Sequence, residues 1–255
     1  MARIVEIVGP SGVGKSYIYN QLRDAWNKND KWAVYHDFRY ERKSRNSFSR
    51  PEIIYEYLYN ILNKVKYISY KPSGGEQLDH MKKFHEDNRQ FVDHTLDIIN
   101  RCCREFYKKD NRYFATLYFY KSVEELQAIR ELQHDKRICL FDEGLLSRIM
   151  HLSSESLTDQ DMDEYLNYMP VPDGVILLKS DPRRICENIK KRRRVATIHQ
   201  GLNEQQLHDY TEKTQYHMEY AAGYFREKGV KVMEINLDSA RDNHIDAIVE
   251  KLNRI

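Results

Sequence analysis

The chain has 255 residues, of which 31% are charged and 41% hydrophobic, and a formal net charge of +2. That balance excludes an intrinsically disordered chain, and no apolar run approaches the ~20 residues needed for a membrane-spanning helix. Because charges of both signs nearly cancel, any surface basic enough to attract nucleic acid has to be local.

In chain order, Ile4-Val5-Glu6-Ile7-Val8 reads as a buried parallel strand, with Glu6 out of place in it. Gly9-Pro10-Ser11-Gly12-Val13-Gly14-Lys15-Ser16 follows, and then an amphipathic helix carrying Ile18, Leu22, Ala25 and Trp26 to about Lys28. This is G-x-x-x-x-G-K-[ST] in the context that gives it meaning, after a strand and opening a helix. The glycines let the backbone curl around a polyphosphate, and the amides of Gly12 to Ser16 form an anion nest at a helix start. Lys15 is placed to neutralise phosphate oxygens, and the Ser16 hydroxyl to ligate Mg²⁺.

Trp32 to Tyr35 reads as a second strand ending at His36-Asp37-Phe38-Arg39, with a basic loop through Arg42 to Arg45 behind it. A helical stretch follows. Ser49 and Glu52 form a capping box ahead of Ile54, Leu58, Ile61, Leu62 and Val65, and Lys71-Pro72-Ser73-Gly74-Gly75 breaks it. One long helix is expected from about Glu76 to Tyr107, with Leu78, Met81, Phe91, Thr95, Ile98, Cys102 and Phe106 near one face. Tyr113 to Tyr120 fits either strand or helix, and Ser122 with Glu125 reads as the cap of a further helix.

Arg137 to Glu143 is an apolar strand with an acidic end, which puts Asp142 at the carboxyl edge of a nucleotide-binding sheet. There it can hold a water on the Mg²⁺ that Ser16 ligates. Thr158 and Asp161 open a short helix, Val175 to Leu178 is a fourth strand, and Asp181-Pro182 starts a helix running into Lys190-Lys191-Arg192-Arg193-Arg194. Asn203 and Gln206 begin a long helix closed by Gly229, Val230 to Ile235 is a fifth strand, and a last helix carries Ile245, Ile248 and Leu252. Alternating strands and helices imply a parallel sheet with right-handed crossovers. The expected organisation is one domain over 1–255, a helical insertion over 49–135 on the acceptor side, and a lid over 190–203. The four cysteines lack metal-ligand spacing and are expected to be buried free thiols; with no signal peptide in view, a cytoplasmic protein is expected. Most of the 19 tyrosines are expected to pack amphipathic helices.

Three stretches carry a resemblance. The loop Gly9 to Ser16, the segment Asp142-Glu143-Gly144-Leu145-Leu146-Ser147, and Leu178-Lys179-Ser180-Asp181-Pro182 leading to Arg192-Arg193-Arg194 resemble those of P-loop kinases of the thymidylate kinase and deoxyribonucleoside kinase group. The second is similar to their D-R-Y-x-x-S segment, with Glu143 where that group has arginine. Asn188 stands where an additional lid arginine often sits. The resemblance implies a three-layer α/β P-loop NTPase fold, with a five-stranded parallel sheet in order 2-3-1-4-5. It also implies ATP and Mg²⁺ as cofactors and an acceptor site under the helices after the second strand.

The resulting expectation is an ATP-dependent kinase acting on a hydroxyl of a nucleoside, nucleotide or sugar. Catalysis falls to Lys15, Asp37 as base, Arg192 and Arg194. Nucleotide contacts fall to Gly9, Ser11, Gly12, Val13, Gly14, Lys15, Ser16, Tyr17 and Arg193. The metal goes to Ser16 and Asp142, and the acceptor to Arg39, Arg42, Glu143 and Arg148, with Glu143 the reserve base. On a continuing helix Arg192 and Arg194 cannot face the same way. Two rivals remain at this stage: a polynucleotide 5′-hydroxyl kinase or other nucleic-acid-acting NTPase, and a nucleotide-dependent switch that signals to a partner. The oligomeric state is left open, a homodimer included, and the expected partner is the small-molecule phosphoryl acceptor.

Overall fold

The computed structural model describes residues 2–25, 31–35, 74–107, 109–131, 136–193, 195–239 and 244–254. Five parallel strands lie in the order β2-β3-β1-β4-β5: β1 Arg3–Val8, β2 Trp32–Val34, β3 Ile138–Phe141, β4 Gly174–Lys179 and β5 Lys231–Asn236. This is the expected sheet of the three-layer P-loop NTPase fold. β1 occupies the centre and is buried almost throughout, as are β2, β3 and most of β4, which is why these strands read as near-continuous apolar runs. β5 at the edge alternates instead.

Register decides what the strand ends bring together. Glu6 of β1 stands opposite Phe141 of β3 and Val175 of β4. Asp142, one residue past β3, therefore emerges where β1 turns into the glycine loop, and Leu178 of β4 emerges beside Gly9. Successive side chains of β1 face opposite layers. Val5 shares a cavity with Leu252 of the C-terminal helix, whereas Glu6 meets the turn after β3.

Around the sheet, α1 (Lys15–Ala25) contacts the C-terminal helix α9 (His244–Arg254) on the Val5 side. Between β2 and β3 the structure describes α2 (Gly74–Asp87), α3 (Arg89–Cys102) and α4 (Arg112–Arg130). The single helix expected from Glu76 to Tyr107 is two helices. Asn88 leaves helical geometry at φ −134°, while its backbone N–H and its side-chain amide both donate to the Phe84 carbonyl, at 2.9 and 3.0 Å. Leu78, expected on the apolar face, is half exposed. The aromatic stretch from Tyr113 joins the following segment in α4, so Ser122 is no cap. It lies buried in mid-helix, and its hydroxyl donates to the Glu143 carbonyl at 2.6 Å. Burial of that face overrides the local capping pattern.

After β3 come a short turn of helix at Leu146–Arg148, α5 (Ile149–Leu152) and α6 (Asp159–Tyr168). Further along lie α7 (Pro182–Lys190) and α8 (Glu204–Glu227). Both capping boxes read from sequence here are formed, Thr158 with Asp161 and Asn203 with Gln206, and Gly229 closes α8 at φ +83°. The apolar stripe of α8, from Leu207 through Phe225, is buried as expected. α6 and α8 run parallel along a polar seam on which the Tyr216 and Tyr220 hydroxyls reach Asp159 and Asp163, at 3.2 and 2.6 Å. These tyrosines pack helices, as the composition suggested. All four cysteines are buried free thiols. No helix among the described residues is long and apolar enough to cross a membrane. The segment expected as a capped helix from Ser49 to Val65, and Trp26 of the first helix, lie outside the described residues.

An aromatic contact set centred on Phe91 helps join the insertion helices to the core. Phe91 of α3 touches Phe84 of α2, Phe119 of α4 and Tyr165 of α6, with ring centroids 6.4, 5.7 and 5.2 Å away. Phe91 is 1% exposed. Phe91→Ala should destabilise the protein by about 3–5 kcal/mol in denaturant unfolding. A loss under about 1 kcal/mol would mean that α3 is not held to the core through this ring.

Candidate active site

The glycine loop is shaped by close approaches on three sides. A β-carbon on Gly9 would lie 2.6 Å from the Leu178 carbonyl oxygen, and one on Gly12 would lie 2.7 Å from the Ile189 side chain of α7. Both residues have positive φ, +153° and +95°, so space and backbone each demand glycine. The Asn188 side chain donates to the Gly12 carbonyl at 3.1 Å, tying α7 to the loop. Thus Asn188, in place of an arginine, binds the loop backbone. Val13 is buried and supports the loop from beneath; Ser11 is buried at its rim, and Tyr17 on α1 is largely exposed. Beside the loop, the turn after β5 brings Leu237 against Gly14.

Lys15 opens α1, and its ammonium donates to the loop's own carbonyls, at Gly9 and, 3.2 Å away, Pro10. Burial pushes its pKa down to about 8, while the nearby carboxylates of Glu143 and Asp142 oppose the shift and Arg148 and Arg192 reinforce it. Three cations and two carboxylates from three parts of the chain, the glycine loop, the turn after β3 and the segment after α7, therefore share one electrostatic environment. Burial raises the Asp142 carboxyl to about 6, with the charge of Glu143 adding to the rise and Lys15 opposing it. A carboxylate raised in this way gains from a cation beside it. The Ser16 hydroxyl at the start of α1 and the Asp142 carboxylate are both hard oxygen donors, the chemistry that suits Mg²⁺.

Arg192 lies two residues past the end of α7, and its guanidinium donates to the Ser11 hydroxyl at 3.1 Å. The helix expected to continue through the basic run stops at Lys190, so Arg192 is not confined to a helical face. Arg193 is exposed. Asp37, Arg39, Arg42 and Arg194 lie outside the described residues.

Glu143 and Arg148 form an ion pair inside the turn after β3. The Arg148 side chain is buried and also donates to the carbonyls of Glu143 at 3.3 Å and Gly144 at 3.4 Å, whereas the Glu143 carboxylate is half exposed. Burial alone would raise the Glu143 carboxyl, but the Arg148 guanidinium overcomes it and holds the group below the ordinary carboxylate range. The Tyr118 ring of α4 carries the guanidinium at 5.7 Å and, stacked at 4.6 Å, the His151 ring.

Sequence reasoning missed Tyr118, His151 and His199. His151 falls three residues after Arg148, a spacing that puts both on one helical face; nothing local marks His199. Each histidine is buried and depressed, His151 to about 3 by burial and then Arg148, His199 to about 4 by burial and then Arg192 and Lys15. Neither ring nitrogen of His199 has a hydrogen-bond partner among the described residues.

No family model and no curated protein matches the sequence. Among solved structures, the chain is similar to deoxyadenosine kinase from M. mycoides with bound dATP, at 13% identity and a TM-score of 0.47, covering 99% of this chain and 100% of that one. It is similar over the same shares, at 16% identity and a TM-score of 0.47, to that enzyme with the products dCMP and a flexible dCDP bound.

The buried histidines give a pH dependence of defined sign. Folding lowers the His199 pKa from 6.5 to about 4, so its stabilising contribution is complete above 6.5 and is lost as pH falls toward 4. The stability of the wild type relative to His199→Asn should therefore drop by about 1.4 kcal/mol per pH unit across that window. Parallel stability curves for the two proteins between pH about 7 and 5 would mean that the ring protonates freely in the folded state.

Proposed function

We propose that this chain is an ATP- and Mg²⁺-dependent kinase that transfers the γ-phosphoryl group to a hydroxyl of a small molecule of the nucleoside, nucleotide or sugar class. The observation that carries the reading is the convergence of Lys15, Arg148 and Arg192 with Asp142 and Glu143 at a glycine loop that opens a helix. Phosphoryl transfer asks for alignment and for charge neutralisation, and the chain supplies both.

In this reading, the loop amides from Gly12 to Ser16 and the Lys15 ammonium bind and orient a triphosphate, the lysine exchanging its loop carbonyls for phosphate oxygens. Ser16 and Asp142 would hold Mg²⁺, which would supply charge neutralisation at the phosphates. Arg192, anchored beside Ser11, neutralises charge that develops on the transferred group. On the acceptor side, Asp37 takes the proton from the acceptor hydroxyl, and Arg39, Arg42, Glu143 and Arg148 orient the acceptor. Glu143 suits that task because Arg148 keeps it ionised and fixed in direction. The Tyr118 and His151 rings extend this wall. Arg193 and Arg194 complete the basic segment over the nucleotide, and the 190–203 segment acts as its lid. Helices α2 to α4 belong to the acceptor-side insertion over 49–135 of one kinase domain.

The test is transfer of label from γ-labelled ATP to a panel of nucleosides, nucleotides and sugars. Label is expected on a small-molecule hydroxyl, and Lys15→Ala and Arg192→Ala should each lower turnover by about 10³-fold. Nucleotide affinity of the free protein should weaken above pH about 8, as Lys15 loses its proton. Label found only on the 5′ end of an oligonucleotide, with binding that falls steeply with salt, would favour the polynucleotide reading. Full turnover by both alanine variants would overturn the kinase assignment altogether.

A further inference from the structure

We propose that Glu6 is a positioning residue whose carboxylate, in the middle of the central strand, clamps the backbone of the 142–148 turn and so sets where Asp142, Glu143 and Arg148 stand. The inference rests on the kinase reading for its functional consequence, and on geometry for the clamp itself. Glu6 is 2% exposed, with a strand on either side of it. An apolar residue would fill that place at no electrostatic cost, so a carboxylate there needs partners. It has them in the turn. The Leu146 amide donates to Glu6 Oε2 at 2.9 Å, and the Leu145 and Ser147 amides also stabilise the charge.

The turn is shaped to receive this group. A β-carbon on Gly144 would lie 2.2 Å from the Glu6 carboxyl, so only glycine lets the backbone approach. The Tyr165 hydroxyl of α6 donates to the Leu145 carbonyl at 2.7 Å, and the Ser147 hydroxyl donates to the Asp142 carbonyl at 3.0 Å. The clamp therefore reaches the backbone of Asp142, the residue expected to hold the metal, through the Ser147 amide and hydroxyl. Removing such outer support of a metal ligand typically lowers activity about 10–100-fold.

The charged and titratable groups that face Glu6 are Arg148 from the turn and Tyr165 from α6. Burial raises the carboxyl to about 7, against the pull of the amides and of Arg148. The clamp is therefore charged above neutrality and weakened below it.

Glu6→Gln keeps the shape and removes the charge, and three measurements decide. Hydrogen exchange at the Leu145, Leu146 and Ser147 amides should accelerate about tenfold or more. Turnover at pH about 8 should fall about tenfold, with the KM for ATP within about threefold. The acid limb of the wild-type turnover profile near pH 7 should be absent from the variant. Gly144→Ala should lower turnover similarly, and the double variant should lose no more than either single one; additive losses would overturn action through the turn. Unchanged exchange and turnover in Glu6→Gln would overturn the clamp while leaving the kinase reading in place. A wild type without phosphoryl transfer, but with charge-dependent exchange in the turn, would overturn the kinase reading and retain the clamp. Should Glu6→Gln fail to fold, Gly144→Ala decides: exchange at the three amides and turnover both unchanged from the wild type overturn the proposal.

Discussion

The site depends on the position of one strand. β1 lies between β3 and β4 and hydrogen-bonds to both, and parallel pairing fixes where each neighbour ends relative to it. Because Glu6 pairs with Phe141 and Val8 with Leu177, the glycine loop, Asp142 and the carbonyl of Leu178 all arrive at one edge of the sheet. A slip of one residue in either pairing would turn side chains to the opposite layer, and the acidic turn would no longer face the loop. The loop is then confined by contact, with Gly9 against β4 and Gly12 against α7. Its shape is thus set by its walls as well as by its own sequence.

Charge at this edge is balanced locally. Lys15 is buried enough to lose part of its proton affinity, yet it is surrounded by both signs of charge. The Glu143–Arg148 pair has a consequence for the resemblance. In thymidylate kinase-like sequences an arginine stands at the place of Glu143; here the arginine comes from five residues further on and folds back onto the same turn. A cation and an anion are both present in the turn, the carboxylate at the surface and the guanidinium buried behind it.

Much of the fold is legible because its signals are local. A strand followed by G-x-x-x-x-G-K-S, an apolar strand ending in Asp142, and the capping boxes at Thr158 and Asn203 each rest on neighbours in sequence. The failures are equally instructive. Ser122 and Glu125 match a helix start, but the face they occupy is buried and α4 passes straight through. The helix is interrupted at Asn88 although its apolar periodicity continues across it, with the Asn88 backbone N–H and side-chain amide both on the Phe84 carbonyl. Leu78 fits an apolar stripe and is nevertheless exposed, since no other element covers that part of α2 among the described residues. Local pattern gives propensity, and tertiary burial decides when the two conflict.

By itself the sequence determined the class of sheet, the glycine loop between a strand and a helix, and the basic segment at Arg192. Each follows from residue type at short spacing, where steric and dipolar preferences act directly. Only the tertiary structure decided the place of Glu6, which as a residue in a strand has no local explanation. Its partners are the amides of Leu145, Leu146 and Ser147, some 140 positions away. The same holds for Asn188 on Gly12, for Arg192 on Ser11, and for the histidines that share the field of Lys15. Desolvation and long-range contact create these relations, and neither leaves a periodic trace in the chain.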